Sequence, residues 1–275
     1  MQNTLPDAAD TNMLAVVCHG PRDYRLERVA RPQAGPRELV IRVASCGICA
    51  GDCKCWAGAP RFWGDPEKGR PAYVRPPVIA GHEFWGHVVQ VGEGAQEHHG
   101  VQLGDRVIAE QIVPCHACRY CRTGFRWMCE VHDVYGFQGQ VADGGMAEYM
   151  RLSARAVVHR IPESVDFEDA AITEPLSCAI HAVNRGDIQL DDVVVIAGAG
   201  TLGLLMAQVA RLKTPRRLVV MDLSDQRLAL ARRCGADVTI NPAREDARAI
   251  VHALTDGYGC DVYIETTGAP SGVTQ

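Results

Sequence analysis

The 275-residue sequence contains no stretch approaching the ~20 consecutive apolar residues of a membrane-spanning helix, and no run of basic residues. The first absence excludes a membrane-spanning helix. The second leaves no electrostatic footprint for nucleic acid or an anionic membrane surface, and a net charge of −5 (28 basic residues against 33 acidic) agrees with it. The N-terminal MQNTLPDAADTN is polar and slightly acidic, lacking the basic and apolar regions of a secretory signal. No internal repeat or low-complexity segment interrupts the chain. What is there is 47% hydrophobic residues, enough for a buried core and two domains, together with 12 cysteines. That many thiols in a long chain without an export signal imply a reducing compartment, hence a cytoplasmic protein.

Cys115, Cys118, Cys121 and Cys129 stand in CHACRYCRTGFRWMC with the spacing C-x2-C-x2-C-x7-C. One turning loop presents the first three thiolates, and Cys129 folds back after a short excursion. Four thiolates at about 2.3 Å around one ion form the closed tetrahedral arrangement of a structural zinc. Spacing and compartment both disfavour disulfides. Ferredoxin cluster motifs open with the same C-x2-C-x2-C but continue x3-C-P, which is missing here, so an iron–sulfur cluster is disfavoured too.

Two regions differ in pattern. After an expected flexible tail over residues 1–12, residues 13–165 read as β-rich: short apolar runs (Leu14–Cys18, Leu39–Ala44, Gly86–Val91, Arg106–Ile112) alternate with Gly, Pro and Asp turn signals. The cysteine lobe occupies 110–132. From about Phe167, Ala170, Ala171, Leu176, Ala179, Ile180 and Val183 recur at helical spacing, with Gly186 as a stop. Then strand and helix alternate: Val193–Ala197, a helix over about 202–212, Leu218–Met221, a helix over about 224–234, Val238–Ile240, a helix near 243–254, and Val262–Ile264. That alternation predicts an α/β domain over 166–275 with a parallel, doubly wound sheet.

The strand Val193–Ala197 runs directly into Gly198-Ala199-Gly200-Thr201-Leu202-Gly203. A lone G-x-G-x-x-G is weak. Here it follows a strand, opens a helix and precedes an acid, Asp222, at the end of the next strand, which makes it a dinucleotide fingerprint. Gly198 makes the tight turn, Gly200 lets the pyrophosphate approach, and Gly203 lets helix pack on strand. Leu202 lies in the helix N-terminal turn, whose free N–H groups favour the phosphates. Asp222 is placed to accept the adenosine ribose hydroxyls and to repel a 2′-phosphate, so NAD is expected over NADP. Arg227, on the following helix, either faces the adenine side or is a solvated charge.

A second set of metal-type donors is scattered. Cys49 follows an apolar strand in Ser45-Cys46-Gly47-Ile48-Cys49-Ala50-Gly51-Asp52. His82 and Glu83 precede one in Gly81-His82-Glu83-Phe84-Trp85-Gly86. Glu174 sits in Thr173-Glu174-Pro175-Leu176-Ser177, on the first turn of a predicted helix. A thiolate, an imidazole and a carboxylate leave one zinc position open, as a catalytic zinc requires. By themselves these residues are not specific: a lone His-Glu pair is more often a surface pair, and a lone Cys a buried hydrophobe.

The run GHEFWGHVVQVGEGA resembles the zinc motif of the medium-chain zinc alcohol dehydrogenases, and the Cys-x-x-Asp element, four-cysteine lobe and glycine loop follow in that family's order over essentially the whole chain. The resemblance implies a GroES-like catalytic domain followed by a Rossmann domain, two zinc ions per chain, NAD, and a homo-oligomer (dimer or tetramer) for the full-length enzyme. It implies Cys49, His82 and Glu174 as ligands of the catalytic zinc, Glu83 as a direct or alternate ligand, and Asp52 as the carboxylate that orients His82. Glu-Pro-Leu-Ser at 174–177 is similar to the polyol branch, and AVVCHGPRDYRLE, EQIVPC, VHDVYGF and GYGCDVYIE resemble the erythritol/L-threitol dehydrogenases within it. A small polyol is therefore the expected substrate, with a sorbitol or threonine dehydrogenase, or a protein merely stapled by zinc, as the alternatives. Phe62, Trp63 and Glu110 are candidate pocket residues. Gly51 and Lys54 depart from the family, which has Ser or Thr and often His at these positions to relay the substrate proton. With only four parallel strands read before Gln275, the chain is also expected to be a fragment of a longer enzyme.

Overall fold

The structure is a computed structural model, describing residues 3–4, 11–269 and 272. It divides into two compact units, Met1–Glu174 and Pro175–Gln275.

The first unit holds strands β1 (Asn3–Thr4), β2 (Asn12–Gly20), β3 (Asp23–Ala30) and β4 (Leu39–Gly47), then helices α1 (Ala50–Trp56) and α2 (Pro60–Trp63). Strands β5 (Val78–Ile79) and β6 (Glu83–Val91) follow, then α3 (Ala95–His99), β7 (Arg106–Ala109), β8 (Ile112–Val113) and α4 (Arg119–Arg122). β9 (Asp133–Val134), β10 (Tyr149–Leu152), β11 (Val158–Arg160) and α5 (Phe167–Ala171) complete it, before α6 (Thr173–Arg185) leads into the second unit. The main sheet is antiparallel, ordered β10-β4-β6-β7-β11 with β1 on β6. Period-two alternation drives it inward: Leu39 and Ile41 of β4, Phe84 and Val88 of β6, Val107 of β7, and Met150 and Leu152 of β10 build one core around the fully buried Tyr135. In the β4–β6 pair Gly47 lies directly opposite Glu83, which joins the chain just before Cys49 to the chain just after His82.

Of the expected tail, Asn3–Thr4 pair with Gln90–Val91 and Asn12 opens β2; residues 1–2 and 5–10 lie outside the described residues. The expected strand Arg106–Ile112 is two strands. β7 stays in the main sheet, whereas β8 leaves it to pair with β9 at the base of the cysteine lobe. The helical stretch from Phe167 is also two helices, broken at Ile172. Pro175 explains the break: in one continuous helix it would clash with the Ala171 carbonyl and leave it unbonded, but in the first turn of α6 its missing N–H costs nothing.

The second unit is a parallel sheet of β12 (Val193–Ala197), β13 (Arg217–Met221), β14 (Val238–Ile240) and β15 (Val262–Glu265) in the order β14-β13-β12-β15. Helices α7 (Thr201–Arg211), α8 (Asp225–Arg233) and α9 (Ala247–Leu254) intervene. All five residues of β12 are buried because both faces are covered: Val194 and Ile196 pack with α6 and α7, and Val195 and Ala197 with α9. α9 starts four residues later than the sequence suggests, since Asn241–Glu245 form a turn and Asp246 caps the helix by accepting the Ala249 N–H at 2.9 Å. Among the described residues no helix is long and apolar enough to cross a membrane.

The strand-to-helix turn is the tightest point of this unit. Gly198 has φ +105°, and a Cβ on Gly203 would lie 1.8 Å from the Gly198 carbonyl oxygen. Gly203→Ala should therefore destabilise the protein by about 1–3 kcal/mol through forced separation of α7 from β12. Gly200→Ala, where a Cβ meets nothing within 4 Å, should stay near wild type. Chemical denaturation of the two variants checks the contrast.

Candidate active site

Four thiols gather in the lobe. The Sγ atoms of Cys115, Cys118, Cys121 and Cys129 all lie within 4.8 Å of one another, with Cys115 and Cys121 4.0 Å apart. A disulfide would need about 2.05 Å, and all twelve cysteines are free thiols. A tetrahedron with bonds of about 2.3 Å has edges of about 3.8 Å, so the spacing fits a zinc ion. The loop turns at His116, which has φ 56° and contacts the Arg155 carbonyl oxygen through Nε2 at 2.9 Å. Backbone N–H groups point at the sulfurs: Cys118 donates to Cys115 Sγ at 3.3 Å, and Cys115 to Cys129 Sγ at 3.3 Å. Backbone N–H groups of Cys121 and Glu130 likewise lower the pKa of the Cys118 thiol, the direction that favours a thiolate ligand.

The second group consists of Cys49, His82 and Glu83, whose ligand atoms also lie within 4.8 Å of one another. Cys49 is the N-cap of α1. Its Sγ accepts the Gly51 N–H at 3.3 Å, while Asp52 Oδ2 accepts the Cys49 N–H at 2.9 Å. Cys-x-x-Asp thus serves as a capping box and fixes the thiol at the helix start. Asp52 is 7% exposed, and its Oδ1 lies 3.4 Å from His82 Nδ1. That distance is long for a hydrogen bond, and among the described residues Nδ1 has no other hydrogen-bond partner. Burial pushes the His82 imidazole down, but hydrogen bonding and charge from Asp52 and then Cys49 overcome it and raise the pKa to about 10. Ligation requires the neutral ring, so a metal entering here displaces that proton.

Two residues that sequence reasoning missed complete the group. Phe137 lies 5.3 Å from the His82 ring and stacks on Phe62 at 5.4 Å, giving the imidazole an apolar backing. Gly47 makes room for Glu83: a Cβ there would lie 2.3 Å from Glu83 Oε2. Only the cross-strand register reveals this; no spacing in the sequence does. Glu174 is buried at 8% exposure but does not belong to the Cys49–His82–Glu83 set. The candidate pocket residues serve the scaffold: Phe62 is 7% exposed in a core cluster, Trp63 Nε1 donates to the Cys55 carbonyl at 2.7 Å, and Glu110 accepts from Arg126 at 2.9 Å. Gly51 is half-buried and Lys54 exposed on α1.

In the second unit the glycine turn has the expected shape. Gly198 needs its positive φ, since a Cβ there would also sit 2.5 Å from Thr266 Oγ1, and the space at Gly200 is open. Gly200 is the N-cap of α7 and has no side chain to satisfy the helix N–H groups, including those near Leu202. Asp222 accepts the Ala199 N–H through Oδ2 and the Ser224 N–H through Oδ1, both at 2.8 Å. Arg227 Nη1 stands 3.8 Å from Asp222 Oδ2 with its side chain largely exposed. Gly198, Asp222 and Arg227 border a cleft of about 710 Å³ that also includes Ser224, Pro242 and Thr267, a size typical of small-molecule sites. An open glycine, an uncapped helix end and a fixed carboxylate fit a dinucleotide.

A model of the alcohol dehydrogenase GroES-like domain matches residues 35–163, and one of zinc-binding dehydrogenases matches residues 201–275. The chain is 50% identical over 275 residues to the erythritol/L-threitol dehydrogenase of Mycolicibacterium smegmatis, covering all of this chain and 74% of that protein. It is 34% identical over 270 residues to the sorbitol dehydrogenase of Homo sapiens, covering 97% and 71%. A solved zinc-binding dehydrogenase of Sinorhizobium meliloti 1021, bound to NADP, superposes with a TM-score of 0.82 at 29% identity over 96% of this chain and 72% of that one.

Gly47→Ala tests the geometry of the second donor group. The added methyl should drive the Glu83 carboxylate away and lower zinc affinity there about tenfold or more, while the four-thiol lobe keeps its ion. Titration with a graded chelator should show the weaker zinc leaving earlier than in wild type.

Proposed function

The chain belongs to the zinc-dependent medium-chain alcohol and polyol dehydrogenases, and on that premise we propose that it oxidises a secondary alcohol of a small polyol, erythritol- or L-threitol-like, with NAD. The observation that carries this reading is the pair of distinct donor groups. Four thiols form a closed set suited to a structural ion, whereas one thiol, one imidazole and one carboxylate form an incomplete one. A protein merely stapled by zinc has no use for the second. Cys49, His82 and Glu83 would hold the catalytic zinc, and Cys115, Cys118, Cys121 and Cys129 the structural one.

A zinc ion bound there supplies Lewis acidity that acidifies the substrate alcohol, and NAD accepts the hydride. The chain's own residues do the positioning. Asp52 holds the Cys49 end of α1 through its Oδ2 and faces His82 Nδ1 through its Oδ1, fixing the ring. Phe137, itself stacked on Phe62, backs the imidazole with an apolar ring. Gly51 offers no hydroxyl beside Cys49 to carry the substrate proton outward. That proton therefore leaves by water or another group, a difference that bears on rate rather than on the class of reaction.

Asp222 supports NAD over NADP. Its carboxylate is fixed by two backbone N–H groups at the end of β13, where a 2′-phosphate would meet like charge. Neither Leu223 nor Ser224 supplies a cation to offset it. The twelve free thiols support a reducing, cytoplasmic setting, and the family supports a homo-oligomer.

The test follows NADH formation at 340 nm across a panel of erythritol, L-threitol, sorbitol and L-threonine with NAD and NADP. The four-carbon polyols with NAD should give the highest kcat/KM. A preference for sorbitol or threonine would revise the substrate, and a preference for NADP would refute the role of Asp222.

A further inference from the structure

Asn241 follows β14 directly and is 4% exposed. A buried amide must find partners for all of its hydrogen-bonding groups, and here every one is used. Nδ2 donates to the Leu223 carbonyl at 3.1 Å and to Asp225 Oδ1 at 3.0 Å; Oδ1 accepts the Ala243 N–H at 3.1 Å. Its own N–H donates to Glu245 Oε2 at 2.8 Å, and its carbonyl accepts the N–H groups of Arg244 and Glu245. The side chain thus stitches the turn after β13 to the turn after β14. Both turns border the 710 Å³ cleft, one through Leu223 and Ser224, the other through Pro242.

The important contact is the one to Leu223. In a planar trans peptide the C=O and the following N–H point to opposite sides. Asn241 takes the Leu223 carbonyl, so the Ser224 N–H on the same peptide unit faces the other way, toward Asp222 Oδ1 at 2.8 Å. The other Asp222 oxygen accepts the Ala199 N–H in the glycine turn. A relay of three links therefore runs from Asn241 through the Leu223–Ser224 peptide and the Asp222 carboxylate to the glycine turn. Leu223 is 70% exposed and gains little from packing, so the orientation of its peptide depends on hydrogen bonds.

We propose that Asn241 is a positioning residue for the cofactor, holding the Leu223–Ser224 peptide so that Asp222 presents its carboxylate to the adenosine ribose. This rests on the assignment of the cleft to NAD. Asn241 touches no cofactor atom; it acts through Asp222.

Asn241→Asp is nearly isosteric and keeps Oδ1 for Ala243, but it replaces the donor with an acceptor facing the Leu223 carbonyl and the Asp225 carboxylate. The Kd for NADH, measured on the full chain by quenching of tryptophan fluorescence, should rise about tenfold. The preference for NADH over NADPH should shrink with it, and in turnover the loss should fall on KM for NAD. Asn241→Ala should behave alike, each variant being checked for native circular dichroism. The decisive comparison is in an Asp222→Ala background, where Asn241→Asp should change Kd less than about twofold. A merely structural role would weaken binding equally in both backgrounds, and that additivity would overturn the proposal. If Asp222→Ala weakens binding while folded Asn241→Asp and Asn241→Ala do not, the role of Asn241 alone is wrong. If Asp222→Ala itself leaves binding unchanged, the ribose assignment fails and the proposal falls with it.

Discussion

A single carboxylate organises the first unit. Asp52 is nearly sealed from water, and burying its charge would be costly without compensation. Compensation comes from three sources: the Cys49 N–H at 2.9 Å, the positive end of α1, and the His82 ring at 3.4 Å. Those same contacts bind the end of β4 and the start of α1 to the start of β6. The thiol of Cys49 and the imidazole of His82 are thereby brought together before any metal is considered. The β4–β6 register then sets Glu83 opposite Gly47, and the missing side chain at 47 gives the third donor its place.

The second unit uses the same device at another strand end. Asp222 is largely buried, and its two oxygens receive the backbone N–H groups of Ala199 and Ser224. Fixing a carboxylate with main-chain donors leaves it little freedom and keeps its remaining lone pairs for a ligand. In both units, then, local backbone geometry and a charged side chain define each other. The surrounding core is a matter of volume, where volume-conserving exchanges would be tolerated.

The sequence displays a good part of this. Four cysteines at C-x2-C-x2-C-x7-C announce the lobe, and Val193–Gly203 announces the dinucleotide turn, because each signal is contiguous and its chemistry needs that spacing. The alternation of strands and helices announces the parallel sheet, whose order the structure gives as β14-β13-β12-β15. The sequence offered both Glu83 and Glu174 as carboxylate partners of Cys49 and His82, and only the cross-strand register shows that Glu83 lies beside them. Gly47 and Phe137 were invisible for the same reason: their roles exist only across strands or between loops. Ile172, where one helical period becomes two helices, was masked because Ala170, Ala171 and Leu176 keep an apolar face across a break imposed by Pro175. No motif marks Asn241, and its contacts appear only when the Leu223 carbonyl is found within reach.

The central claim is that Cys49, His82 and Glu83 hold a metal of their own, apart from the ion of the four-thiol lobe. Zinc content per folded chain, measured by elemental analysis of wild type and His82→Ala, tests it most directly. The account predicts about two zinc ions in wild type and about one in the variant, which should remain folded but lose turnover. About two ions in the variant, or full activity without His82, would contradict it.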